Sequence, residues 1–168
     1  MQIETIEGSP SLGTAEAHSV LITTIAKLPG HVGAKLGPTE WQVITQDCVS
    51  QFADLTNDHN FIHVDPERAR NTPFGGTIAH GFLTLSLLGP ISQQLIVVED
   101  AGTSINYGLN RVRFPAPLPV GAEVRGSGEI LLVTPIDGGV ELSAKFSIEV
   151  KNQRKPTLVA ESLLRYYR

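Results

Sequence analysis

Two aspartates, two histidines and an asparagine fall within one short string, Asp58-His59-Asn60-Phe61-Ile62-His63-Val64-Asp65-Pro66. The next histidine is His80, followed at once by Gly81 and a long apolar run. The residue types in the first string suit proton transfer. An unperturbed histidine titrates near neutral pH, and a carboxylate beside it can share the taking and giving of a proton. The second stretch reads as the opening of a buried helix. The two are expected to meet at one site, with Asp58 and His63 as its acid–base pair.

Convergence of that pair demands a bend. Five positions separate Asp58 from His63, which puts them roughly 140° apart on a helix and on opposite faces of a strand. Asn60 tolerates turn geometry, and an aspartate can bond to backbone two residues on. Pro66 biases Asp65 towards an extended conformation and opens a short helical turn over Pro66-Glu67-Arg68-Ala69-Arg70. Two other uses of the string stand beside this one. Asp, Asn and His are ordinary turn residues, so the pair can be a structural cap. His59 and His63, four apart with Asp58 and Asp65 nearby, have a zinc-like spacing, but only on a helix. Asn60 and Pro66 argue against a helix there, and the chain has no cysteine pair to support a metal.

The flanking sequence predicts the elements that must hold these residues. Trp41 to Thr45 alternates as a short strand, and Thr45 is a natural N-cap for a helix from Gln46 to Leu55, with Val49, Phe52, Ala53 and Leu55 as its apolar stripe. Thr56-Asn57 favours leaving that helix, which delivers Asp58. Thr72 to Thr77 is a glycine-containing turn. Gly81 to Val98 carries no charged side chain and reads as a buried helix that Pro90 kinks or breaks. Beyond it come extended segments: Thr103 to Phe114, interrupted near Gly108, Glu123 to Val133, Val140 to Val150 and Thr157 to Tyr167. A hairpin turn over Pro135 to Gly139 joins two of them. One apolar helix followed by long antiparallel strands is an α+β layout, a curved sheet wrapped around a helix. No internal repeat is found.

The remainder of the chain narrows the function class. With 168 residues, 41% hydrophobic and 18% charged, it suits one globular domain. Its net charge of −4 gives no footprint for nucleic acid. Basic residues gather after Lys151, where a solvated strand surface is the simpler reading and a phosphorylated carrier the other. Thr14 and the following Ala15 to Leu28 form a candidate short helix, so that residues 1–35 read as an N-terminal extension and 36–168 as the domain. Its apolar run is too short to span a membrane, and no secretory pattern precedes it. Cys48, the single cysteine, is expected in helix packing and fits a reducing, cytoplasmic setting. Trp41 is assigned to packing.

The string from Asp58 to Pro66, followed by Ile78-Ala79-His80-Gly81-Phe82, resembles the hydratase 2 motif of the MaoC-like, (R)-specific enoyl-CoA hydratases. Ile105 to Pro117 and the closing Val159-Ala160-Glu161-Ser162 extend the resemblance over roughly residues 35–168, and Asn106-Tyr107-Gly108-Leu109-Asn110-Arg111 looks most like the NodN-like dehydratases. The resemblance implies a single hot-dog fold and reversible addition of water to a trans-2-enoyl thioester, giving a (3R)-hydroxyacyl thioester. It implies Asp58 and His63 as the pair that activates water and delivers the proton. Gly81 is then the oxyanion donor through its backbone N–H, since the first amides of a helix lack internal partners. Asn60 orients the pair or serves its own turn, and His80 shapes the loop. No metal and no cofactor beyond the acyl-CoA or acyl-carrier thioester are implied. A homodimer formed by two sheets side by side is expected, which would protect open sheet edges. Many relatives carry Pro where this chain has Phe61, and that departure bears on the acyl pocket. A hot-dog thioesterase or a non-catalytic acyl-thioester-binding subunit are the alternatives. Retention of both Asp58 and His63 speaks against the second.

Overall fold

The computed structural model describes residues 19–168. The path begins with a short strand, β1 (Leu21–Thr23), paired in parallel with Ile96–Val98 much later in the chain. The helix expected from Ala15 to Leu28 is therefore not formed over its described part, and its start lies outside the described residues. Val20, Ile22, Thr23 and Thr24 are β-branched, which restricts them in a helix and suits them to a strand. A distant partner segment then decides the outcome. Nor do residues 19–35 stand apart, because Ile25 and Leu28 are core residues and the Ile25 N–H donates to Asp100 at 2.7 Å.

Two more short strands, β2 (Lys35–Leu36) and β3 (Gln42–Val43), lead to helix α1 (Gln46–Thr56). Thr45 caps it as expected, accepting from the Cys48 N–H at 3.2 Å. Val49 and Ala53, four apart, are its buried stripe. Cys48 precedes that stripe and is exposed, not packed as the sequence suggested. Two single-turn helices follow, α2 (Phe61–Val64) and α3 (Pro66–Ala69).

The central apolar helix comes in two pieces, α4 (Gly81–Ser86) and α5 (Leu88–Leu95). Pro90 has no N–H for the Ser86 carbonyl and its ring crowds that group. The break falls one turn ahead of it, at Leu87. Pro90 itself lies in the first turn of α5, where a missing N–H costs little. The helix ends three residues earlier than its apolar run, because Ile96–Val98 forms strand β4 against β1.

Four long strands complete the domain: β5 (Thr103–Arg113), β6 (Glu123–Ile136), β7 (Gly139–Val150) and β8 (Leu158–Tyr167). They form an antiparallel sheet in the order β2-β6-β7-β8-β5, with β3 also on β6. Period-two burial is plain in β7, where Val140, Leu142, Ala144, Phe146, Ile148 and Val150 all face inward. Pro135 belongs to β6, opposite Val140, so the hairpin turn shortens to Asp137-Gly138, with Gly138 at φ 74° as a two-residue turn requires. The sheet curves around the central helix pair. Gly126 of β6 lets them approach closely, because a Cβ there would lie 2.5 Å from Ile91 Cγ2. The result is the α+β, single hot-dog arrangement that the resemblance implied.

Candidate active site

Helix α1 ends where the site begins. Asn57 adopts a left-handed conformation at φ 57°, and the Asp58 N–H donates back to the Ala53 carbonyl at 3.1 Å. Asp58 is thereby set down just past the helix, with its side chain exposed. The chain then reverses through Asn60, whose Oδ1 accepts from the Ile62 N–H at 3.3 Å and caps α2. Three residues into that turn, His63 points inward and is 8% exposed. The bend expected between Asp58 and His63 is thus a left-handed residue followed by a capped helical turn. Asn60 serves that turn.

The imidazole of His63 has one tautomer when neutral. Its Nδ1 lies 2.7 Å from the Ile78 carbonyl, and a carbonyl only accepts, so Nδ1 carries the hydrogen and Nε2 the lone pair. Ile78 is held by its own N–H donated to the Ile62 carbonyl at 3.0 Å and by the Ala79 N–H donated to Leu118 at 2.8 Å. Gln46, at the start of α1, adds two bonds: Nε2 donates to the His63 carbonyl at 2.8 Å and Oε1 accepts from the Thr77 hydroxyl at 2.7 Å. Neither Gln46 nor Thr77 stood out in the sequence, because each is ordinary for its local element and reaches the site through contacts distant along the chain.

His80 is 3% exposed. It stacks on His63 with ring centroids 3.8 Å apart, and Phe52 lies against it at 5.0 Å. Its Nε2 donates to the backbone carbonyl of Asp58 at 2.9 Å. That bond ties the start of the central helix to the end of α1. Its Nδ1 is buried and has no hydrogen-bond partner among the described residues.

One ring nitrogen each from His63 and His80 and a carboxylate oxygen of Asp58 lie within 4.8 Å of one another. This differs from the metal set weighed in the sequence. His59 instead pairs with Asp54 at 2.8 Å, and Asp65 caps α3 through the Arg68 N–H at 3.0 Å. The convergent trio is poorly built for a cation, since stacked rings direct their in-plane lone pairs side by side and not at a common point.

A cleft of about 330 Å³ opens beside His63, with Ile78, Gly81, Phe114, Pro117 and Thr157 among its walls. Gly81 is the first residue of α4, so its amide has no partner within the helix. Its φ is not positive, and the nearest atoms a Cβ added there would meet belong to the Phe114 ring, at 3.5 Å, an ordinary contact. Helix entry therefore does not demand glycine at this position, and what its absent side chain provides is room in the cleft. Phe61 is not part of that wall. It sits at the first position of α2, where Pro is also well accommodated, under the Arg68 guanidinium at 4.3 Å.

Residues 27–150 match the family model described as "MaoC like domain". The 3-hydroxyacyl-thioester dehydratase Z of Mycobacterium tuberculosis (strain ATCC 25618 / H37Rv) is 48% identical over 144 residues, covering 85% of this chain and 95% of the relative. Nodulation protein N of Rhizobium leguminosarum bv. viciae is 40% identical over 148 residues, covering 82% and 87%. Among solved structures, the (R)-hydratase from A. caviae involved in PHA biosynthesis superimposes with a TM-score of 0.66 at 26% identity, covering 79% of this chain and 94% of that one.

Proposed function

We infer that this chain, which belongs to the MaoC-like domain family, is a hydro-lyase: an (R)-specific enoyl-CoA hydratase or 3-hydroxyacyl-thioester dehydratase. The observation that carries this reading is the approach of one carboxylate oxygen of Asp58 and one ring nitrogen each of His63 and His80 to within 4.8 Å, beside a cleft lined by both His63 and Gly81. The substrate is an acyl-CoA, with an acyl-carrier thioester as the other source of the same group.

In the hydration direction, a water held by the Asp58 carboxylate and His63 Nε2 attacks C3 of a trans-2-enoyl thioester. The C2–C3 double bond opens and negative charge moves onto the thioester oxygen. Gly81 N–H, at the positive end of α4, donates to that oxygen. The pair takes one proton from the attacking water and returns one to C2, so the elements of water are added with no net change at the pair. Dehydration is the same path reversed. No step calls for a metal or an added cofactor. His80 keeps the backbone of Asp58 and the ring of His63 in register.

A homodimer with two such sites completes the reading. Strand β5 is the last in the sheet order, and Ile105, Tyr107 and Leu109 along it are 44%, 52% and 43% exposed. Such an edge invites pairing, and a second copy is the partner we assign to it. Among the described residues no helix is long and apolar enough to cross a membrane, and the single exposed thiol and soluble CoA substrate suit the cytoplasm. Loss of enoyl absorbance on mixing the protein with trans-2-enoyl-CoAs, followed by chiral analysis, tests the activity. Formation of the (3R)-alcohol is the expected result. Release of free thiol would turn the assignment to a thioesterase.

A further inference from the structure

We propose that Gln46 is a positioning residue for His63, acting with Thr77 to keep the imidazole hydrogen on Nδ1 and the lone pair on Nε2. The proposal rests on the acid–base reading of His63 and deepens it.

Both ends of the Gln46 amide are used, and their assignment is forced. The carbonyl of His63 only accepts, so the atom facing it at 2.8 Å must be Nε2. That leaves Oε1 to accept from Thr77 Oγ1 at 2.7 Å. Nε2 also lies 3.4 Å from Ser50 Oγ one turn along α1. Thr77 is buried and immediately precedes Ile78, whose carbonyl takes the Nδ1 hydrogen of His63 at 2.7 Å. Gln46 thus links the backbone of His63 to the segment carrying the acceptor for its ring.

The chemical consequence concerns the tautomer. While Ile78 stays in place, the neutral ring keeps its hydrogen on Nδ1 and its lone pair on Nε2, where a water proton can be taken. If the segment drifts, that bond lengthens and the other tautomer is populated. In that form the cleft-facing nitrogen already bears a hydrogen and cannot accept one. A purely structural Gln46 would hold the loop without controlling this distribution.

The test uses the full chain labelled with 15N-histidine, and reads the ring nitrogens of His63 at a pH where the ring is neutral. The His63→Ala spectrum identifies the signals. Wild type is expected to show hydrogen on Nδ1 alone. Gln46→Ala and Thr77→Val are expected to show mixed tautomers, with kcat on an enoyl thioester reduced about 10- to 100-fold and KM little changed. Thr77→Ser, which keeps the hydroxyl, should restore both. Should Gln46→Ala fail to fold, the Thr77→Val and Thr77→Ser pair carries the test alone. An unchanged tautomer in the folded variants overturns the proposal, whether or not kcat falls. Mixed tautomers with unchanged kcat would leave Gln46 as the residue that orients the ring, and would instead remove the acid–base role from His63.

Discussion

His63 and His80 stack ring on ring, with planes 28° from parallel, and each gives one ring N–H to a backbone carbonyl. His63 bonds Ile78 at 2.7 Å and His80 bonds Asp58 at 2.9 Å. Neither ring can rotate without losing a bond and colliding with the other. The pair therefore joins three segments: the end of α1, the turn α2 and the entry to the central helix. Asp58 owes its place to a histidine that follows it by twenty-two positions.

His80 accordingly matters for position. His80→Phe preserves a ring for stacking but removes the donor to Asp58, and should lower kcat about 10- to 100-fold while destabilising the fold by about 1 kcal/mol. His80→Gln, whose amide can reach a carbonyl, should recover part of the rate. Steady-state kinetics beside thermal melts check this, and equal rates for His80→Phe and wild type would contradict it.

Much of this arrangement is legible in the chain itself. Thr45 announces the start of α1 and Asn57 its end, so the delivery of Asp58 can be read from residue types. The alternation from Val140 to Val150 marks an inward face with no help from structure. What escapes is decided by distant partners. Val20 to Thr24 becomes strand because Ile96–Val98 lies beside it, and nothing local to either segment names the other. Gln46 looks like any helix-opening residue, yet its two bonds reach 17 and 31 positions along the chain.

The open edge of β5 gives a second prediction. Ile105→Lys with Leu109→Lys places charge on two of its exposed apolar positions, and charge on an edge strand opposes pairing. Light scattering should report a dimer for wild type and a monomer for the double variant. A monomeric wild type would remove the homodimer from the account.

Close packing of α5 on β6 gives a third. Gly126→Ala drives a methyl to 2.5 Å from Ile91 Cγ2, and Ile91 is fully buried. Overpacking of this kind costs about 1–3 kcal/mol. Ile91→Val in the same background should return part of that loss, measured by chemical denaturation.

Alkaline pH offers a fourth. Burial pushes the Tyr166 phenol up to about 12 from its ordinary 10.0. Below pH 10 the phenol is neutral in folded and unfolded chains alike, and its contribution is fully present. Between about 10 and 12 the unfolded chain releases a proton that the folded chain retains, so stability falls as pH rises, by on the order of 2–3 kcal/mol. Tyr166→Phe should lose less stability over that window, and parallel slopes for the two proteins would refute the assignment.

The central claim is that Asp58 and His63 form one acid–base pair, and Asp58→Asn tests it most directly. The substitution keeps the shape of the side chain and removes its charge at an exposed position, so the fold should persist by circular dichroism. Hydration of a trans-2-enoyl-CoA by the purified variant should fall by about 10²–10⁴. A folded Asp58→Asn protein that hydrates the substrate at the wild-type rate would contradict the account.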